Sequence, residues 1–175
     1  NFRTFIFEDL LKRWLIHLGY DVKHIMNITD VDDKTIKKAN DESVALNIIT
    51  DRYTSCFMED LKWLKMIPAD EFPRATDYID KMISMIQTLL DKNFAYKDND
   101  GSVYFDINSF QEYGCLTNLN IKGQKQTKRI NDDEYEKDSP QDFALWKGWK
   151  KEDGDIVWNA PWGKGRPGWH IECSA

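Results

Sequence analysis

The chain has 175 residues, of which 41% are hydrophobic and 13% aromatic, a composition that excludes a disordered polypeptide and fits one sizeable core or one domain carrying an insertion. Its formal net charge of −6 and pI near 5.1 exclude a uniformly basic surface, although a local basic patch is enough to hold nucleic acid. Cys56, Cys115 and Cys173 are odd in number, widely spaced and without a C-x-x-C pair, so no secreted disulfide framework is expected; with no signal-like N-terminus and no apolar run of about 18 residues, a cytoplasmic protein without a membrane span is predicted.

Phe2, Phe5, Ile6, Leu10, Trp14, Leu15 and Leu18 recur at helical spacing, predicting a helix from Phe2 to Leu18 that stops at Gly19. A short strand is expected over Asp21 to Met26. Helix, glycine and strand in that order are half of a βαβ unit, which points to an α/β fold. Asn27-Ile28-Thr29-Asp30 falls where that strand would end, the place where open α/β sheets gather ligands. Thr29 or Asp30 can cap the next helix, with Asp32 and Asp33 in its first turn facing the positive end of the helix dipole. A magnesium or calcium cluster of Asp30, Asp32 and Asp33 is a weak alternative, since the glycine and distant glutamate of a calcium loop do not follow.

Ser43 to Met66 reads as a long helix with Ile49, Tyr53, Phe57, Leu61 and Leu64 on one side, Cys56 buried beside them, and Pro68 as the stop. The segment from Ile67 to Thr76 reads as a connector, and Thr76 as the cap of a third helix, Asp77 to Lys92, whose methionines serve the core. Phe94-Ala95-Tyr96, the turn Asp98-Asn99-Asp100-Gly101 and Val103-Tyr104-Phe105 predict a β-hairpin. Lys122, Lys125, Lys128 and Arg129, followed by Asp132, Asp133, Glu134, Glu136 and Asp138, read as a solvated loop, with contact to an RNA backbone as the alternative. A short strand from Phe143 through Trp146 follows.

The stretch from Trp158 to Ala175 gathers three Trp, three Gly, two Pro and single Lys, Arg, His, Glu and Cys residues. Gly and Pro make it a poor core strand, so Gly163 to Gly168 is expected to be a loop that lets backbone approach a ligand, and Gly168 to Ala175 the start of a helix. His170 and Cys173 are three apart and share a helical face, as two ligands of one metal would; they fall short of the roughly four that zinc takes, and a buried Cys with a packing His is the alternative.

Gly165-Arg166-Pro167-Gly168-Trp169-His170-Ile171-Glu172-Cys173-Ser174-Ala175, together with Asn27-Ile28-Thr29-Asp30-Val31-Asp32-Asp33-Lys34, Asp142-Phe143-Ala144-Leu145-Trp146-Lys147 and Pro161-Trp162-Gly163, resembles the cysteinyl-tRNA synthetases, class I aminoacyl-tRNA synthetases, over essentially the whole chain. The resemblance implies a Rossmann-type nucleotide-binding fold interrupted by a connective insertion: residues 1–78 the first half without its N-terminal strand, 79–162 the insertion, and 163–175 the start of the second half. It implies activation of cysteine with ATP and Mg2+, transfer to tRNA(Cys), and a zinc ion that selects the substrate thiol because a soft thiolate outbids a hydroxyl for the metal. Residue by residue, it implies that Cys173 is a zinc ligand, that Thr29 and Trp169 line the cysteine pocket, and that His170 stands beside the pocket rather than on the metal. The family's other three zinc ligands and both ATP signatures have no counterpart among these residues. A chain that begins without Met inside one helical pattern and ends inside another is therefore expected to be a piece of a longer polypeptide, inactive alone. Two readings compete: a ligase delivering cysteine to an amino sugar, and a non-catalytic relative acting as an interaction module.

Overall fold

The computed structural model describes residues 2–115 and 142–175 and divides into two compact units, Asn1–Asp77 and Tyr78–Ala175. The basic and acidic run from Lys122 to Asp138 lies outside the described residues.

The first unit is helical: α1 Arg3–His17, α2 Asp33–Glu42 and α3 Leu46–Trp63. Phe2 and Phe5 pack on Phe57 of α3, with ring centroids 5.7 and 5.1 Å apart, and with Met58, Met66 and Phe72 they surround the buried Met26, Leu61 and Ala69. The predicted apolar stripe of α1 is only partly a core stripe. Ile6, Leu10, Trp14 and Leu18 are exposed, while the side chain that α1 does bury is Lys12, whose ammonium donates to the Pro68 carbonyl and to Asp70, each at 3.0 Å. The buried ammonium is thus met by a carboxylate that itself stays about half exposed. Cys56, expected to be buried, is exposed; the buried residues of α3 are Ile49, Thr50 and Leu61.

The strand expected over Asp21–Met26 reduces to isolated parallel bridges, Ile25 to Glu71 and Ile28 to Arg74. The supposed connector is their partner: the Met26 N–H donates to the Glu71 carbonyl (3.0 Å), Ile28 to Pro73 (2.8 Å) and Ala75 back to Ile28 (3.0 Å). Pro68 precedes the pairing segment and Pro73 lies within it, contributing through its carbonyl, the hydrogen-bonding group that proline keeps.

In the second unit, α4 Ile79–Asp91 buries Ile79, Met82 and Ile86, as its period requires. It begins after a 3-10 turn at Ala75–Tyr78, and no side chain caps it. A five-stranded antiparallel sheet follows, in the order β1-β2-β3-β5-β4, built from β1 Ala95–Lys97, β2 Val103–Phe105, β3 Phe143–Gly148, β4 Trp158–Ala160 and β5 Gly163–Pro167. β1 and β2 are the predicted hairpin. Buried Asp142 joins β1 to the 3-10 turn Ile107–Ser109 that follows β2, accepting from the Tyr96 hydroxyl (3.0 Å) and the Ile107 N–H (3.1 Å). Mixed helix and antiparallel sheet is thus the described architecture.

Candidate functional site

Gly163–Pro167 is a strand, contrary to the expected loop, and an interior one, paired with β3 and β4. The glycines are the reason. A Cβ on Gly165 would stand 2.2 Å from the Lys147 carbonyl oxygen and 2.4 Å from the Trp146 indole nitrogen, and one on Gly168 would stand 2.0 Å from the Ala144 carbonyl oxygen. Bare backbone lets β5 settle against β3 more closely than any side chain would permit. Trp146, fully buried, packs edge-on to Trp162 with centroids 5.8 Å apart and forms the floor of this contact.

Arg166 and Asp153 are both sealed from water, with the guanidinium Nε donating to the carboxylate Oδ1 at 2.9 Å. The other carboxylate oxygen accepts from the Lys150 N–H at 2.8 Å, closing the 3-10 turn Lys151–Asp153. The Gly168 N–H then donates to the Leu145 carbonyl (2.9 Å), and the chain turns into α5 Trp169–Glu172, with Gly168 as its N-cap. Three of the four sequence-nominated residues are mounted here. Trp169 is 67% exposed, His170 rests on Phe143 with centroids 4.6 Å apart, and Cys173 is the exposed C-cap of the single turn. Ile171 and Glu172 face inward and are buried.

The fourth, Thr29, belongs to the first unit. It is half-buried, and its hydroxyl accepts a long contact of 3.5 Å from the Asn27 amide. Asp30 beside it is 4% exposed and caps nothing: it accepts from the Thr76 N–H (3.0 Å) and hydroxyl (2.6 Å), with Arg74 at 3.8 Å. Arg74 also pairs with Asp51 at 2.7 Å, and chiefly that carboxylate, then those of Asp30 and Asp77, holds its pKa above the ordinary value. The cap of α2 is Asp32, whose carboxylate accepts from the Thr35 N–H (2.6 Å) while the Thr35 hydroxyl accepts from the Asp32 N–H (2.8 Å). Asp33 opens the helix, so the three aspartates have separate structural employment and do not converge as a divalent-cation cluster.

Among the described residues, no three His, Cys, Asp or Glu side chains are grouped to hold a metal ion. His170 and Cys173 share one turn of helix without a third ligand, so the described residues do not by themselves fit a zinc centre. An apolar cleft of about 360 Å3 lined by Phe7, Leu10, Leu11 and Trp14 of α1 has no ionisable side chain in its walls and contains none of the nominated residues.

The family described as tRNA synthetases class I (C) catalytic domain matches residues 1–175. The chain belongs to that family. As a class I (C) synthetase catalytic-domain chain it is 51% identical, over 99% of its length, to proteins named Cysteine--tRNA ligase from Chlamydia felis and Chlamydia trachomatis serovar D, and 51% identical over all of its length to one of the same name from Protochlamydia amoebophila. It spans 37% of the length of each of these relatives.

In this class I (C) chain, sequence reasoning missed Asp153 and misread Asp30. Asp153 sits in an acidic surface-like run, Glu152-Asp153-Gly154-Asp155, with nothing local to separate it from its neighbours. The signal available for Asp30 was its place after Thr29, which fits capping as well as any tertiary role.

Proposed function

We propose that this chain forms part of the catalytic region of a cysteine–tRNA ligase, which activates cysteine with ATP and Mg2+ and passes the cysteinyl group to tRNA(Cys). The observation that carries the reading is the match of the whole chain to the class I (C) catalytic domain, at 51% identity to relatives of that name. In this reading residues 1–78 and 163–175 belong to a Rossmann-type nucleotide-binding fold and 79–162 to an insertion. The parallel pairing at Ile25–Glu71 and Ile28–Arg74 supports the first part, being the pairing expected of such sheets. The change to antiparallel strands after α4 supports the second.

Thr29 and Trp169 are assigned to substrate cysteine, and His170 to the edge of its pocket. An exposed indole on a well-supported turn offers an apolar wall at little entropic cost, since its backbone is already fixed by the Gly168 to Leu145 hydrogen bond. His170, resting on Phe143, is oriented by that contact. Cys173 is assigned as one ligand of a zinc ion; the described residues offer no complete ligand set, and no step is carried through the metal. A cytoplasmic location belongs to the same reading, and no described helix is long and apolar enough to cross a membrane.

The test is the complete gene product, assayed for pyrophosphate exchange with each amino acid in turn and for charging of tRNA(Cys). Exchange dependent on cysteine is expected. No exchange with cysteine, or charging of a different tRNA, overturns the reading.

A further inference from the structure

A buried ion pair is weak evidence of a role in stability, because the desolvation of both charges offsets most of their attraction and an apolar pair of similar volume often serves as well. What a charged hydrogen bond adds is direction. Arg166 and Asp153 are 5% and 6% exposed, joined at 2.9 Å, and lie thirteen residues apart in sequence, one in interior strand β5 and the other in the turn between β3 and β4. Asp153 is itself fixed by the Lys150 N–H, so the guanidinium is held by a carboxylate that has little freedom to move. Downstream, α5 is four residues long and has no side-chain N-cap, so it has little stability of its own. Its placement depends on where β5 delivers the chain at Gly168. Between Arg166 and Trp169 stand only Pro167, with its restricted φ, and Gly168, pressed against the Ala144 carbonyl.

We infer that the Arg166–Asp153 pair is a positioning device for the amino-acid side of the site: it fixes the pitch of β5 so that Trp169 and Cys173 are presented in one orientation. The functional part of this inference rests on the reading proposed above. Arg166 and Asp153 are buried among protein groups, so they act through the turn that follows and touch no substrate.

The test uses the complete protein and three versions of it: Asp153→Asn, which keeps an acceptor for Lys150 but removes the charge; Asp153→Glu, which keeps the charge; and the apolar double replacement Asp153→Leu with Arg166→Met. The first readout is hydrogen exchange of the amides of residues 169–174, independent of activity. In D153N and the double variant those amides should exchange at least about tenfold faster, while the β1–β2 hairpin stays unchanged and D153E lies closer to wild type. The second readout is KM. For D153N and the double variant the KM for cysteine should rise about tenfold or more with that for ATP within about twofold, since a small misplacement of a binding wall acts on the ligand that meets it. The double variant also loses the acceptor of the Lys150 N–H, so its melting temperature is measured alongside and exchange is compared well below it. Unchanged exchange at residues 169–174 in both, or a rise that spreads equally through the hairpin, overturns the positioning role, as does an equal effect on the two KM values. If the wild-type protein fails to activate cysteine while exchange responds as expected, the functional reading fails and the structural coupling stands.

Discussion

Asp30 accepts two hydrogen bonds from a single residue, the backbone N–H and the hydroxyl of Thr76, at 3.0 and 2.6 Å. Both oxygens of a nearly sealed carboxylate are thus engaged across forty-six positions of sequence. With the bonds between Ile28 and the Pro73–Ala75 backbone, they pin the segment on either side of Thr29. Replacing Thr76 by Val keeps the volume and removes the hydroxyl donor. It should destabilise the protein by about 1.5–3 kcal/mol, the range for a hydrogen bond to a charged group, read as a lower urea midpoint at unchanged m. A loss below about 0.5 kcal/mol would mean that Arg74 or water takes over the vacated oxygen.

Gly165 and Gly168 are predicted to be intolerant of alanine for a steric reason and not a conformational one. The added methyl would meet the Lys147 or the Ala144 carbonyl oxygen, at 2.2 and 2.0 Å, so two paired strands would have to part. Each substitution should cost at least about 2 kcal/mol and shift strand-β3 amides towards faster exchange. Gly154, which has nothing within 4 Å of its would-be Cβ but sits at φ +58° and ψ −127°, should respond only through backbone strain, by about 1–3 kcal/mol.

Acid should weaken the first unit. Burial alone would raise the Asp9 pKa, but the hydrogen bonds from Arg13 and the Ile67 N–H and the charges of Arg13 and Lys12 bring it below its ordinary value. The Asp70 pKa is lowered by the His24 N–H first and then by Lys12. A carboxyl whose pKa is depressed on folding contributes stability that is present above its unfolded value and is lost as pH falls through the folded one. Thermal stability should therefore decline below about pH 4, and Asp70→Asn should flatten that decline, with differential scanning calorimetry from pH 6 to 2.5 as the check. An unchanged pH slope in the variant would remove Asp70 from the account.

In the complete protein, Trp169→Ala should raise the KM for cysteine at least about tenfold with little change for ATP, because the exposed indole is assigned to the amino acid. Cys173→Ser should lower bound zinc as well as cysteine activation, since a hydroxyl is a poor replacement for a soft thiolate ligand. His170→Asn should leave the zinc content alone. Elemental analysis alongside pyrophosphate exchange separates the three, and a zinc loss in the His170 variant equal to that in the Cys173 variant would reinstate both as ligands.

The sequence by itself determined the elements whose cause is local. Helical spacing placed α1, α3 and α4, alternation and the Asp98–Gly101 turn placed the hairpin, and the run from Gly165 to Ala175 pointed to the family. Tertiary structure alone decided what depends on partners far along the chain. The glycine-rich run became an interior strand because β3 lay where only bare backbone fits, and Asp30 became a latch because Thr76 was brought to it. Lys12 stands two turns on from Phe5, on the same side of α1, and is buried there because Asp70 and the Pro68 carbonyl meet its ammonium. Periodicity reports how a segment would divide between water and core; it carries no information about which distant carboxylate, carbonyl or glycine waits on the other side, and those partners set burial and role.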